Sequence, residues 1–208
     1  MTDAVHHPIF ARIFDRLSGS MEKEVGVHRD ELLAGLSGRV LEVGAGNGMN
    51  FGHYPATVTE VVALEPEPYL RERADAAARH APVPVTVRDG VAHPLPARDD
   101  EFDAAVVSLV LCSVPDPDHA VAELRRVVKP GGQLCFLEHV RSSRPHKARL
   151  QEALDRSGVW PLMGGGCHCA RDTIATLQRN GFAIDRVRRM DVGPSMLHTN
   201  PHVLGVAR

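Results

Sequence analysis

The stretch RVLEVGAGNG, residues 39–48, decides the fold of this chain. Its first half is an apolar run of branched side chains, which is typical of a buried strand. Glycines then follow at alternate positions, Gly44, Gly46 and Gly48. Because glycine has no Cβ, it permits a positive φ and lets a ligand approach the backbone. The stretch therefore predicts a buried strand that enters a tight turn, with a ligand over that turn.

The spacing of the glycines distinguishes two classes of ligand. A dinucleotide fingerprint reads G-x-G-x-x-G and directs a helix N-terminus at a pyrophosphate. Here the third glycine comes one residue early, and Met49 stands where the fingerprint has glycine. Glu42, two residues before the first glycine, repels a pyrophosphate and attracts an ammonium or sulfonium group. The turn therefore favours a cationic ligand.

A second acidic residue closes the next apolar run. Glu65 follows VVAL and lies twenty-one residues after Gly44. A carboxylate at the end of such a strand can accept hydrogen bonds from both hydroxyls of a ribose. Proteins that bind dinucleotides and proteins that bind S-adenosylmethionine both use this device. The acid therefore predicts a ligand that contains a ribose.

Composition limits the classes of partner. A chain of 208 residues that is 43% hydrophobic can bury one substantial core. Its net charge is −2, whereas proteins that bind nucleic acid usually carry an excess of basic residues. We therefore expect a small-molecule partner and no nucleic acid. The four cysteines are too few for a disulfide framework in a chain of this length, and we expect them to be reduced.

The hydrophobic pattern also bears on location. The longest apolar run, residues 104–114, is far shorter than the ~20 residues that span a bilayer. No charged-then-apolar leader opens the sequence. We therefore expect a cytoplasmic protein with no membrane span, present as a monomer or homodimer.

The motifs, taken in order, resemble a known family. LEVGAGNG, the acid that closes VVALE, the run VVSLVLCSV and the element RRVVKPGG resemble the class I S-adenosylmethionine-dependent methyltransferases. NFGHYP, LVLCSV, LEHV, GGGC followed by Arg171, and NPHVLGVA are similar to the microsomal alkyl-thiol methyltransferases and their soluble bacterial relatives. The resemblance begins near Leu36 and runs to the C-terminus. It departs from the microsomal enzymes in the expected lack of an N-terminal membrane anchor.

The resemblance implies a fold and an activity. The expected fold is α/β, a Rossmann-like, seven-stranded, mostly parallel sheet with an antiparallel C-terminal strand and helices on both faces. Residues 37–208 would form the core that binds S-adenosylmethionine. The expected reaction is methyl transfer to a small molecule, with S-methylation of a thiol or sulfide preferred. The alternatives are an O-, N- or C-methyltransferase on a metabolite such as a quinol, and a sensor that binds S-adenosylmethionine without chemistry.

The same resemblance places the cofactor at the carboxyl ends of the strands, where open α/β sheets bind ligands. The residues expected to contact it are Glu42, Gly44, Ala45, Gly46, Asn50, Glu65, Pro66, Asp89, Gly90, Val91, Ala92, Ser108 and Leu109. In many relatives an acid follows the glycine of the Asp-Gly step and receives the adenine amino group, but here Val91 occupies that position. Either Asp89 reaches the adenine, or the backbone at Val91 and Ala92 reads its edge.

Three residues are candidates for catalysis. His139 closes the fifth strand, where an acceptor approaches, and histidine is a general base near neutral pH. Of His198 and His202, the second matches the family motif and is preferred. Cys112 follows the fourth strand, where it either borders the methyl group or is an inert buried thiol. The residues expected to contact the acceptor are Phe14, Tyr54, Cys167 and Arg171.

The segment WPLMGGGCHCAR, residues 160–171, carries cysteine and histidine side by side. Both residue types bind zinc, but adjacent C-x-C spacing without a second cluster is a poor match to structural zinc sites. We therefore expect no metal, and a glycine-hinged loop over the substrate pocket.

The N-terminal residues 1–36 are expected to form a helical cap over the substrate pocket. Apolar residues recur at helical spacing from Ile9 to Leu17, and the triplet SGS at residues 18–20 interrupts the pattern. We therefore expect two helices, the second ending near Gly35.

Overall fold

A computed structural model describes residues 7–193 and 201–208, except for the side chains of residues 20–24. The described residues form one sheet in the order β3-β2-β1-β4-β5-β7-β6. Its strands are β1 Gly38–Val43, β2 Val58–Leu64, β3 Val85–Arg88, β4 Phe102–Ser108, β5 Val128–His139, β6 Ile184–Asp191 and β7 Pro201–Ala207. Strands β1 to β5 are parallel, and β7 runs antiparallel between β5 and β6. The expected sheet is confirmed.

Six α-helices lie in the described part of the chain. They are α1 Pro8–Leu33, α2 Pro68–Ala78, α3 Pro117–Val127, α4 Pro145–Ser157, α5 Val159–Met163 and α6 Thr173–Arg179. A short 3-10 helix spans Phe51–His53. Within the described ranges, none of these helices has the length and apolar character required to cross a membrane.

The sheet buries side chains on both faces, because successive residues of a strand point to opposite sides. In β1, Leu41 belongs to the core that includes Leu124 of α3. Its neighbour Val40 belongs to the second core, which includes Leu32 of α1. Helices therefore cover both faces, and the ends of the central strands stay available for a ligand.

The expectation of two N-terminal helices is wrong, because α1 continues through Ser18 and Gly19 without a break. The Ser18 hydroxyl donates to the carbonyl of Asp15 at 3.0 Å, inside the helix. It also accepts from the amide of Asn47 at 2.9 Å. A glycine within a helix costs only about 1 kcal/mol, so these tertiary contacts outweigh the local interruption.

The close packing of β5, β7 and β6 makes a prediction about stability. A Cβ on Gly205 of β7 would lie 2.5 Å from the carbonyl oxygen of Arg186 and 2.5 Å from Cζ of Phe136. Neither atom can move easily, since one is backbone and the other belongs to a fully buried ring. We expect Gly205→Ala to lower the free energy of unfolding by about 1–3 kcal/mol in urea denaturation.

The matched control is Gly35→Ala, where an added Cβ meets no atom within 4 Å. This substitution should change the free energy of unfolding by less than about 0.5 kcal/mol. Equal midpoints and slopes for both variants would contradict the described contact of the three strands.

Candidate active site

The glycine turn lies across the ends of β1 and β2. The carbonyl of Leu64 accepts from the N–H of Gly44 at 2.8 Å and from that of Ala45 at 3.0 Å. Gly44 has φ +70°, and a Cβ there would come within 2.5 Å of Cγ2 of Val110. Position 44 therefore requires glycine for two reasons. Its φ is positive, and the side chain of Val110, just after β4, occupies the space that a Cβ would need.

Glu65 is buried next to this turn. Its Oε2 accepts from the N–H of Gly46 at 2.7 Å, and its Oε1 accepts from the N–H of Glu67 at 2.9 Å. Burial raises the pKa of this carboxyl to about 7, although the two backbone hydrogen bonds oppose the shift. Each carboxylate oxygen can accept a further hydrogen bond, so the pair fits the two hydroxyls of a ribose.

An arginine that was not among the predicted site residues connects three of the predicted cofactor residues. Arg71 donates to the carbonyls of Glu65 and Pro66 at 2.8 and 3.0 Å, and to the exposed carboxylate of Asp89 at 3.1 Å. It therefore holds the segment after β3 beside the end of β2. Its position one turn into α2 gave no signal in the sequence.

The residues after Asp89 line the same region. A Cβ on Gly90 would lie 3.1 Å from the side chain of Leu64. Val91 is half-buried, and Ala92 is buried in the core beside α3. Their position beyond β3 is compatible with either of the two adenine contacts considered above.

Glu42, Asn50 and Tyr54 form a buried network. The Glu42 carboxylate accepts from Nδ2 of Asn50 at 2.8 Å and from the hydroxyl of Tyr54 at 2.7 Å. Arg29 of α1 donates to Oδ1 of Asn50 at 2.7 Å. Burial raises the pKa of Glu42, although the hydrogen bonds from Tyr54 and Asn50 and the charge of Arg29 oppose the shift. The contacts give Tyr54 a supporting role beside the glycine turn, and the Arg29 contact connects α1 to the network.

Helix α1 packs over the glycine turn. The ring of Phe14 lies 3.4 Å from the position that a Cβ on Gly46 would occupy. Asp15, the next residue, accepts from Asn47 and from the hydroxyl of Tyr69, each at 3.0 Å. The structure thus places Phe14, predicted to contact the acceptor, beside Gly46, which is predicted to contact the cofactor.

The same helix reaches the glycine loop of residues 164–166. Phe10 stacks on Phe14 with ring centroids 5.9 Å apart. A Cβ on Gly165 would come within 2.6 Å of the Phe10 ring. The first turns of α1 therefore touch both the glycine turn and the glycine loop, as a cap over the substrate pocket would.

The loop after β4 is held by a buried carboxylate. Ser108 is the last residue of β4, and Leu109 adopts φ +61°, which turns the chain. Glu138 of β5 then accepts from three successive N–H groups at 2.9 to 3.1 Å. These donors belong to Val110, Leu111 and Cys112. Glu138 was not among the predicted site residues, although an acid near the end of a buried strand is the same signal that predicted a role for Glu65.

Arg171 connects the glycine loop to this segment. Its guanidinium donates to the carbonyls of Leu111 and Val114 at 2.6 and 2.8 Å. The N–H of His168 donates to the carbonyl of Cys112 at 2.7 Å. Burial lowers the pKa of Arg171. These contacts make Arg171 a positioning residue; a contact with the acceptor remains a prediction.

The three catalytic candidates converge at the ends of β4 and β5. His139 Nδ1 lies 3.4 Å from Sγ of Cys167 and 3.7 Å from Sγ of Cys112. His202 pairs with His139 across β7 and β5, and their ring centroids are 4.5 Å apart. His198 lies outside the described residues. Both cysteines are buried, whereas His139 is half-buried.

The environment favours one thiolate in this cluster. The neighbouring Cys112 thiol, followed by His139, stabilises the thiolate of Cys167 and lowers its pKa despite burial. The contact with Cys167, together with burial, raises the pKa of Cys112. The site can therefore hold one anionic sulfur next to an imidazole.

The geometry defines a class of protein. A glycine turn, an acid that suits a ribose, and a polar cluster all lie at one edge of a mostly parallel sheet, where open α/β folds bind ligands. That is the arrangement of a Rossmann-like enzyme with a nucleoside cofactor.

Comparisons with known proteins specify the class. Residues 41–136 match the family described as "Methyltransferase domain". The human thiol S-methyltransferase TMT1B is 33% identical over 180 residues, which cover 84% of this chain and 73% of that protein. Human TMT1A is 30% identical over 204 residues, which cover 95% and 82%. The S-adenosylmethionine-dependent methyltransferase of Mesorhizobium loti superposes with a TM-score of 0.66 at 21% identity, over 89% and 97% of the two chains.

The chain therefore belongs to the class I S-adenosylmethionine-dependent methyltransferases, in the group that includes the thiol S-methyltransferases. It is an enzyme whose cofactor is S-adenosylmethionine. The structure places the predicted cofactor residues at or beside the ends of β1 to β4. Which of them contact the bound cofactor remains a prediction.

The raised pKa of Glu65 predicts a pH-dependent affinity for the cofactor. With a pKa of about 7, the carboxyl is partly protonated near neutrality before the ligand binds. Ribose hydroxyls donate to the ionised form, so binding should lower this pKa and release a proton. We expect the affinity to rise with pH up to about 7 and to be constant above it. Calorimetry in two buffers of different ionisation enthalpy measures both the affinity and the proton release.

Glu65→Gln provides the control, since an amide does not titrate. It should bind S-adenosylmethionine about 1–3 kcal/mol more weakly, with little dependence on pH. A wild-type affinity that is constant across this range, without proton release, would place the ribose contact elsewhere.

Proposed function

We propose that this methyltransferase transfers a methyl group to the sulfur of a small thiol or of hydrogen sulfide. The observation that carries the proposal is the likeness to two proteins named thiol S-methyltransferases. It extends over 84% and 95% of the chain, well beyond the general methyltransferase region of residues 41–136. The alignment with human TMT1A covers 95% of the chain. It therefore includes β5 and the glycine loop of residues 164–166.

The reaction is an in-line displacement at carbon. When bound, S-adenosylmethionine supplies a methyl group on a positively charged sulfur. The acceptor S–H bond breaks, the acceptor sulfur forms a bond to the methyl carbon, and the carbon–sulfonium bond breaks with its electron pair on the departing sulfur. The reaction also releases the proton of the acceptor thiol. The chain must therefore align the acceptor and promote loss of that proton; alignment alone can contribute about 7–11 kcal/mol.

A thiol needs only modest help to ionise, because its reference pKa is about 8.5. The imidazoles of His139 and His202 lie at the end of β5 and on the facing part of β7. The loop after β4, which is expected to border the methyl group, carries Cys112 beside His139. The half-buried guanidinium of Arg171 donates to two carbonyls of the same loop. These groups support an anionic sulfur at this place, with the histidine pair as the base.

The first test is the choice of acceptor. Methyl transfer from labelled S-adenosylmethionine should occur with sulfide and a small alkyl thiol and be absent with a catechol, a quinol and an amine. His139→Ala should lower kcat for the thiol by about 100-fold or more, with an unchanged Kd for S-adenosylmethionine. The remaining activity should increase with pH, since the acceptor must then ionise unaided.

His80→Ala is the matched control, because His80 is exposed at the end of α2. It should retain the wild-type rate on every acceptor. Turnover of the catechol, quinol or amine without turnover of either sulfur compound would contradict the proposal.

A further inference from the structure

Three potential metal ligands from distant parts of the sequence meet at the acceptor side of the site. Sγ of Cys112, Sγ of Cys167 and Nδ1 of His139 all lie within 4.8 Å of one another. Among the described residues, no other group of three such ligands has this geometry. The expectation of no metal was based on Cys167, His168 and Cys169 alone, which follow one another in the sequence.

The two nitrogen–sulfur distances match those around a tetrahedral zinc ion. Zinc lies about 2.3 Å from sulfur and about 2.0–2.1 Å from nitrogen, so sulfur and nitrogen ligands of one ion are about 3.5 Å apart. Here the two Nδ1–Sγ distances are 3.4 Å for Cys167 and 3.7 Å for Cys112. An ion can therefore bind among these atoms with only small movements of the side chains.

The backbone holds the two cysteine segments together. Glu138 fixes the N–H of Cys112, and the carbonyl of Cys112 accepts from His168, the residue after Cys167. Gly166, with φ +90°, would bring a Cβ within 2.9 Å of the carbonyl oxygen of Ser113. Only glycine permits this approach, so the segment before Cys167 is shaped to lie against the segment that carries Cys112.

We propose that Cys112, Cys167 and His139 bind one zinc ion, and that its fourth position is open to the sulfur of the acceptor. Two thiolates and one imidazole are a ligand set that selects zinc among the common divalent ions. Three protein ligands are also the number found in catalytic zinc sites, where the fourth position holds water or substrate. The half-buried ring of His139 provides the side from which the fourth ligand enters.

The role of the ion rests on the proposed function. Bound to zinc, a thiol loses its proton at neutral pH, and the proton passes to solvent. Two protein thiolates neutralise the ion, so the added acceptor thiolate gives the site a charge of −1 and keeps the sulfur nucleophilic. The acceptor sulfur then forms its bond to the methyl carbon as the carbon–sulfonium bond breaks. With zinc bound, His139 is a ligand and the ion replaces the histidine base.

The test begins with binding of zinc alone. The full chain is reduced, stripped of metal with a chelator and titrated with Zn²⁺ by calorimetry without oxygen. We expect one zinc per chain, and a thiolate-to-metal charge-transfer band when Co²⁺ replaces Zn²⁺. Cys112→Ser, Cys167→Ser and His139→Ala should each weaken zinc binding by about 100-fold or more.

Cys169→Ser is the matched control in the same loop. Cys169 is buried, and its thiol donates to Oδ1 of Asp155, a bond that a serine hydroxyl can also make. This variant should retain one zinc per chain with an affinity within about threefold of the wild type. Equal loss of zinc in Cys169→Ser would overturn the assignment, because it would show that binding does not depend on the three proposed ligands.

The wild-type chain decides the proposal even if a variant fails to fold. Less than one tenth of an equivalent of zinc on the reduced wild-type chain would overturn the site, including the case in which Cys112 and Cys167 are isolated as a disulfide. Full thiol turnover after complete removal of zinc would overturn the role of the ion and leave the thiol acceptor intact. Stoichiometric zinc on the three ligands without turnover of any sulfur acceptor would support the site and exclude the thiol reaction.

Discussion

The hydrogen bonds to the buried carboxylate of Glu138 are the interaction on which the proposed acceptor side of the site depends. It accepts from the N–H groups of three successive residues, Val110 to Cys112, at the point where the chain leaves β4. Buried N–H groups without acceptors would cost about 1–3 kcal/mol each. Once these donors face Glu138, the carbonyls of the same loop face outward to Arg171 and His168. One carboxylate therefore orients the loop to which the glycine loop attaches.

Val110 connects this side of the site to the cofactor side. Its side chain lies against Gly44, in the space that a Cβ at that position would need. The glycine turn and Glu65 lie on one side of this contact, at the ends of β1 and β2. Cys112 lies on the other side, two residues further along the chain. A methyl group that passes from donor to acceptor would move across the junction that Val110 borders.

Helix α1 covers both sides at once. Phe14 lies over Gly46, and the neighbouring ring of Phe10 lies against Gly165. Asp15 adds polar contacts to Asn47 and Tyr69. The first turns of the helix thus use apolar contacts over the two glycine segments and hydrogen bonds beside them. These contacts lie beside the region where the proposed acceptor sulfur and the methyl group would meet.

The sequence predicted those features that depend on local pattern. Continuous apolar runs predicted the buried strands, and the glycine turn with Glu65 predicted the cofactor edge. The continuity of α1 could not be predicted, because it depends on a hydrogen bond from Asn47 to the Ser18 hydroxyl. Asn47 lies in a different part of the chain. The contact of Cys112 with Cys167 could not be predicted for the same reason. It depends on the hydrogen bond from Cys112 to Glu138 and on the close packing of Gly166 against the carbonyl of Ser113.

The most direct test of this account is a crystal structure of the chain with S-adenosylhomocysteine. We expect both ribose hydroxyls within about 3 Å of the Glu65 carboxylate, and the sulfur of the ligand beside the loop of residues 109–112. An adenosine bound away from the ends of β1 and β2, or a sulfur remote from Cys112 and His139, would contradict it.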